Sequence, residues 1–270
     1  MYNSDPKVAG AQKVMLEILL EVHKICVKHN ITYWLEAGTL LGAVRHKGFI
    51  PWDDDCDIAM LRPDYERFLE LAERELPKEF FLQTQKTDPE YPLNFAKVRK
   101  HNTLLIETGE TGEENYHHGV FVDIFPFDYY KYRWLINWMQ WTQTVRDRKK
   151  KYKKGSVKRV LVTFYTNIVL LLPVQISLFV KRYLERHKGF FSNPKYDYVS
   201  YGLECCPICP IKKEDLLPEK LVKNTFEGQD FYFPNREKEV LRVEFGNDFM
   251  NLPPEEDRKT HAKYIELNIE

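Results

Sequence analysis

Residues 34–60 read WLEAGTLLGAVRHKGFIPWDDDCDIAM, and four aspartates fall within five positions of it: Asp53, Asp54, Asp55 and Asp57. Ile58, Ala59 and Met60 follow, so the pattern predicts that the cluster runs along a strand. Side chains of a strand alternate between faces, so Asp53, Asp55 and Asp57 share one face and Asp54 takes the other. Alpha carbons two residues apart lie roughly 6–7 Å from each other at about 3.3 Å of rise per residue. Carboxylates so placed repel unless a cation stands between them, and hard divalent cations take oxygen ligands. The competing reading is a solvated acidic turn after Pro51-Trp52. Against it stands the upstream Gly38-Thr39 turn, whose backbone N–H groups at a helix start can hold an anionic phosphate. The stretch therefore predicts a Mg²⁺ or Mn²⁺ site for phosphate chemistry.

A third carboxylate lies downstream in GVFVDIFP, residues 119–126. Asp123 sits among aromatic and branched residues, where an unpaired charge is expensive. The competing reading is an edge-strand aspartate facing solvent or one paired with a nearby Lys; a metal or other cation meeting it explains the placement better. Asp55, Asp57 and Asp123 are the expected catalytic residues, with Asp53 a further metal ligand; three such carboxylates suit phosphoryl transfer. Charge on the transferred oxygens also needs neutralising. Arg45 lies between the Gly-Thr turn and the aspartates, and Lys97 and Arg99 alternate on one face of another predicted strand. These three are expected phosphate contacts, together with Gly38 and Thr39. His117 and His118 read as polar loop residues.

Around these positions, helix and strand patterns interleave. Ser4-Asp5-Pro6 starts an amphipathic helix that runs to about His29 on Ala11, Val14, Met15, Ile18, Leu19, Val22, Ile25 and Cys26. Ile31–Leu35 reads as a strand, Gly38 to Gly48 as a short helix, and Asp64–Leu76 as a helix stopped by Pro77. Short strands are predicted over 80–83, 94–99, 103–106 and 119–127. The C-terminal part reads as helix and loop. The expected class is mixed α/β, or α+β, with a core sheet flanked by helices. The expected divisions are a catalytic core over 1–130, a basic and hydrophobic helical segment over 131–190, and a region over 191–270 that completes the site.

Forty basic residues balance forty acidic ones, which argues against a general nucleic-acid binder. Five cysteines without a regular framework fit a reducing compartment. Cys205, Cys206 and Cys209 have the spacing of half a zinc site but no second pair of ligands, so zinc is the weaker reading. The start of the chain lacks the pattern of a secretory signal. Between Arg146 and Arg159 stand nine Lys or Arg and one acid, and Val160–Val180 follow without a charge. A helix of that length spans roughly 31 Å, but Asn167, Pro173 and Gln175 argue against a true crossing. Apolar helices lying in the cytoplasmic leaflet, anchored by the basic run, are the preferred reading.

GTLLGAVRHKGFIPWDDDCDI, HHGVFVDIFP and the tail FEGQDFYFPNREKEVLRVEFGNDFMNLPPEEDRKTH together resemble the LicD family of phosphocholine transferases, which is related to fukutin-type transferases. The family has an aliphatic residue where Cys56 stands. The resemblance implies a nucleotidyltransferase-like core and transfer of phosphocholine from CDP-choline to a sugar hydroxyl, with release of CMP. It implies as acceptor a teichoic-acid or lipopolysaccharide glycan carried on a lipid at the inner face of a bacterial membrane. It further implies that Asp55 and Asp57 hold Mg²⁺, with Asp123 completing the site or acting as base. Another CDP-alcohol, such as CDP-ribitol or CDP-glycerol, or a nucleotide transferred whole, is the alternative on the same fold. Aromatic residues are plentiful enough to cage a quaternary ammonium, but the sequence does not single out which of them would.

Overall fold

The computed structural model describes residues 5–134, 136–137, 193–202, 205, 209–217 and 222–268. The expected membrane-associating stretch, Val160–Val180 with its basic run, lies outside them, as does Cys206. Among the described residues no helix is long and apolar enough to cross a membrane. The chain divides into two compact units, Met1–Phe127 with Glu214–Glu270, and Asp128–Lys213. Of the expected C-terminal region, 214–270 belong to the same unit as the aspartates and 191–213 to the other.

Helix α1 covers Pro6–His29. Asp5 caps it by accepting from Lys7 N at 2.8 Å, Pro6 occupies the first turn, and Asn30 closes it in the left-handed conformation at φ 53°. Its apolar stripe from Val8 to Cys26 is buried. Strand β1 (Trp34–Leu35) leads to helix α2 (Ala37–His46), then to β2 (Asp57–Leu61) and helix α3 (Arg62–Glu75). Strands β3 (Phe80–Gln83), β4 (Ala96–Lys100), β5 (Leu104–Glu107) and β6 (Phe121–Tyr130) follow. In the second unit β7 (Tyr198–Tyr201) pairs antiparallel with β8 (Ile211–Lys212). The first unit resumes with β9 (Val222–Phe226), β10 (Gln229–Phe233), helix α4 (Glu237–Phe245) and β11 (Ala262–Glu266).

The class is mixed α/β. The central strands run in the order β1-β2-β6-β4-β3. The β2–β6 pair is parallel and the remaining neighbours in that row are antiparallel. Helix α1 packs on β4 and α3, while α2 and α3 pack on β2, which seals the core around Trp34, Phe68, Phe121 and Phe127.

Two expectations need correction. Strand β2 begins at Asp57, so Asp53 to Cys56 form an irregular approach to the sheet. Gln12 in α1 holds that approach, its Nε2 donating to Ile50 O at 2.9 Å and to Asp53 O at 2.8 Å. The C-terminal part is not helix and loop alone, because β9 and β10 form a hairpin and β11 pairs antiparallel with β5. The hairpin turns on Glu227 and Gly228, both at positive φ, which a glycine tolerates and which suits a two-residue turn. Most of β9 and β11 faces water, so neither carries an apolar alternation strong enough to read as a strand.

Candidate active site

A row of polar side chains crosses four strands of the sheet. Gln83 in β3 pairs in register with Lys97 in β4, Lys97 with Asp123 in β6, and Asp123 with Asp57 in β2. Register partners share a face, so these four point the same way. All four are buried. The register is fixed by neighbours of the carboxylates: Thr39 Oγ1 accepts from Asp57 N at 2.8 Å, and Asp123 N donates to Cys56 O at 2.8 Å. Thr39, placed by the first turns of α2, thus ties that helix to the head of β2.

Lys97, 1% exposed, is the cation of the row. Its Nζ stands 2.9 Å from Asp123 Oδ1 and 3.3 Å from Oδ2, and 3.3 Å from Glu107 Oε2. It also lies 3.3 Å from the centroid of the Phe121 ring. The aligned hydrogen bond runs to Oδ2, so the buried Oδ1 lacks a donor in hydrogen-bonding geometry. Arg99, one step along the same face, is equally buried. Its Nε bonds Gln83 Oε1, its Nη1 donates to Gly119 O at 2.6 Å, and its guanidinium stacks over Phe121.

The aspartates confront one another with little compensation. Burial, and then the charge of Asp55, pushes Asp57 well above the usual carboxylate range, with Asp123 and Asp53 adding to the shift. Asp53 is raised by burial and by Asp55, to which it is hydrogen-bonded. Asp55 is raised by burial and by Asp54; the Asp53 hydrogen bond, His261 and Lys97 pull it back. Asp123 is pushed up to about 6 by burial against the pull of Lys97. The Asp53 carboxylate crowds the start of α2, where a Cβ on Gly38 would meet Asp53 Oδ2 at 2.9 Å. Glycine lets the carboxylate approach that helix end.

The donor set is hard oxygen, the carboxylates repel one another, and Asp123 Oδ1 has no aligned donor. A divalent cation suits those residues. Asp53, Asp55, Asp57 and Asp123 are the side chains that would hold it. Among the described residues no three His, Cys, Asp or Glu side chains already converge as a metal cage.

The remaining expected contacts sit as follows. Asp54, of opposite parity, turns away and is 3% exposed. Its Oδ1 accepts from His261 N at 3.1 Å and its Oδ2 from Ala262 N, at the head of β11. Arg45, in the last turn of α2, donates from Nη1 to Phe249 O at 3.0 Å and Asn251 O at 3.1 Å. It thereby fastens the C-terminal segment beside Asp53, whose charge it feels. Cys56 is fully buried, so the thiol fills a core position that an aliphatic side chain also fits. Cys205 and Cys209 are half-buried.

Sequence reading did not single out Glu107, which shares Lys97 with Asp123. Nor did it single out Arg258, whose guanidinium lies 5.4 Å over the Trp52 ring, or His261. Distance along the chain hides Arg258 and His261, since β11 brings Ala262 opposite Glu107; Glu107 is near Lys97 in sequence but meets it only through the folding of β4 and β5.

Residues 30–163 match the family model described as LicD/FKTN/FKRP, nucleotidyltransferase domain. The chain is 29% identical over 263 residues to the lipopolysaccharide cholinephosphotransferase LicD of Haemophilus influenzae, covering 93% of this chain and 94% of that protein. Over 59 residues it is 46% identical to an uncharacterized protein of Rickettsia prowazekii, 22% of each chain. Over 35 residues it is 53% identical to the ribitol 5-phosphate transferase FKRP of Homo sapiens, 13% of this chain and 7% of that one.

Proposed function

The chain belongs to the LicD family, and from that premise we propose that it moves phosphocholine from CDP-choline to a sugar hydroxyl of a glycan precursor, releasing CMP. The acceptor in this reading is a lipid-linked lipopolysaccharide or teichoic-acid precursor, met at the inner face of a bacterial membrane. The observation that carries the reading is the buried row Lys97–Asp123–Asp57 with the half-buried Asp53 and Asp55 at its end, a concentration of carboxylates beside the Lys97 ammonium. Similarity to a protein named as a lipopolysaccharide cholinephosphotransferase supports the choice of group and acceptor. The core is read as nucleotidyltransferase-like.

The chemistry asks for three things. The acceptor hydroxyl must lose a proton as its oxygen bonds to the choline-bearing phosphorus. The bond from that phosphorus to the CMP phosphate must break. Charge on the phosphoryl oxygens must be neutralised throughout. Asp123 supplies the base, taking the proton on Oδ1, the oxygen that lacks an aligned donor, and Lys97 keeps the carboxylate oriented through its hydrogen bond to Oδ2 at 3.3 Å. Mg²⁺ or Mn²⁺ on Asp55 and Asp57, with Asp53 beside them, would neutralise charge on the phosphoryl oxygens and leaving phosphate. The free backbone N–H groups of the first turn of α2, near Gly38 and Thr39, would favour the same anion, and Lys97 adds the fixed positive charge.

The test is a donor panel. The purified protein is incubated with CDP-choline, CDP-ribitol and CTP plus Mg²⁺ and a glycan acceptor, and CMP and pyrophosphate are followed. CMP from CDP-choline with transfer to the acceptor is expected. Pyrophosphate release would overturn both CDP-alcohol readings. CMP from CDP-ribitol alone would replace choline by ribitol phosphate, the second reading, which the short FKRP likeness favours. Membrane association rests on the basic run from Arg146 to Arg159 and the apolar stretch after it. Co-sedimentation with anionic liposomes at low salt is the expected result, and a protein that stays in the supernatant would refute it.

A further inference from the structure

Just before β11 the chain holds one exposed side chain by an unusually firm backbone. The Asp54 carboxylate is buried, yet it spends both oxygens on the main chain of the tail, accepting from His261 N at 3.1 Å and from Ala262 N. From the opposite side Thr108 donates to His261 O twice, from N at 2.9 Å and from Oγ1 at 2.5 Å. The peptide groups on either side of the His261 alpha carbon are thus fixed, one to the aspartate approach and the other to the end of β5. The imidazole itself is 75% exposed, with Nδ1 3.7 Å from Asp54 Oδ1.

Any residue but proline could make these hydrogen bonds, because all run through the backbone. Their effect is to fix where the side chain at 261 starts, immediately beside Asp54 and near enough to Asp55 for an imidazolium there to favour that carboxylate's charge. An exposed imidazole adds little to stability. A ring nitrogen carried on a backbone already ordered beside a phosphate site is instead a hydrogen-bond donor that costs less to place when the ligand arrives. Nδ1 lies on the Asp54 side of the ring, which leaves Nε2 for a ligand.

We propose that His261 is a substrate-contacting residue whose imidazole donates a hydrogen bond to a phosphoryl oxygen of a nucleoside diphosphate held at the aspartate site. The inference rests on the reading of that site as one for nucleoside diphosphates and is independent of which alcohol the donor carries. It gives the C-terminal tail a chemical part, with Asp54 as the residue that positions it.

The test uses CDP plus Mg²⁺ as the probe and the full-length protein with isotope-labelled histidine. On titration, the His261 ring resonances should shift and saturate with the same dissociation constant as the Trp52 indole signal. His261→Ala should weaken CDP binding about tenfold or more, the range for a hydrogen bond to a charged group, with an unchanged melting temperature. His261→Gln, which keeps a donor, should recover part of the loss. His261 resonances that stay still at CDP saturation, a wild-type dissociation constant in the alanine variant, or no CDP binding by the wild-type protein would each overturn the proposal. CDP binding through His261 without CMP release from CDP-choline would leave it standing and reject the choline reading.

Discussion

Asp57 and Asp123 are register partners across the only parallel pair in the β1-β2-β6-β4-β3 row, and Lys97 is the register partner of Asp123 on its other side. One cation therefore compensates a row that holds two carboxylates, with Asp53 and Asp55 crowding its end. Such an arrangement is poor for stability and good for function: buried like charges are retained where a ligand is to neutralise them.

Lys97→Met should expose that dependence. The substitution keeps the stem over Phe121 but leaves Asp123 buried without its ammonium partner. Loss of one member of a buried pair costs about 3–5 kcal/mol. Adding Asp123→Asn should return a large part of it, because the uncompensated charge is gone. Urea denaturation of the two single variants and the double variant measures the coupling; additive losses would show that Lys97 and Asp123 do not act as a pair.

Asp57→Asn should separate stability from activity. Burial and the charges of Asp55, Asp123 and Asp53 all disfavour ionised Asp57, so a neutral isostere relieves repulsion. The expected gain is about 0.5–2 kcal/mol, the range typical of relaxing a strained functional site, while turnover in the donor panel falls to background. Calorimetric melting beside CMP release reads both. Retained turnover would refute the catalytic role of Asp57.

His117 gives the molecule a dependence on pH away from the aspartates. Its Nδ1 accepts from Gly119 N at 2.9 Å and its Nε2 meets His101 Nδ1 at 3.0 Å, with the Phe81 ring stacked on it. Burial, then the charges of Arg99 and His101, lower its pKa to about 4. The unfolded chain therefore binds the extra proton first. This contribution to stability is complete above about 6.5, the ordinary histidine value, and is lost as pH falls from there toward 4. His117→Asn should flatten the fall in melting temperature between pH 6.5 and 4, and a slope identical to wild type would count against it.

What the sequence disclosed divides along physical lines. Helix α1 was legible end to end because its cap, its stop and its stripe of buried residues are all local. The parity that sets Asp54 apart from Asp55 and Asp57 was legible too, since alternation outlasts the strand proper: Asp54 turns to the tail although β2 starts only at Asp57. The partnership of Lys97 with Asp123 was half legible, as two charged residues in predicted strands whose register no local pattern fixes. Glu107, Arg258 and His261 were not legible. The place of Arg258 and His261 depends on β11 crossing to β5, a pairing between segments far apart in the chain with β11 largely wet, and that of Glu107 on how β5 lies against Lys97.

Divalent cation binding should show in stability before it shows in turnover. Ligands that bind only the folded chain raise its unfolding free energy by about 2.7 kcal/mol at a hundredfold excess over the dissociation constant. Here the gain should be carried by relief of repulsion among Asp53, Asp55 and Asp57, which burial has already set against ionisation. Mg²⁺ should therefore raise the melting temperature of the wild-type protein and do much less for Asp55→Asn or Asp57→Asn, whose carboxylate sets are incomplete. EDTA should abolish CMP release, and added Mg²⁺ or Mn²⁺ should restore it. A wild-type melting temperature indifferent to Mg²⁺, together with turnover that survives EDTA, would mean that Lys97 alone balances the row and that the transfer proceeds on protein side chains.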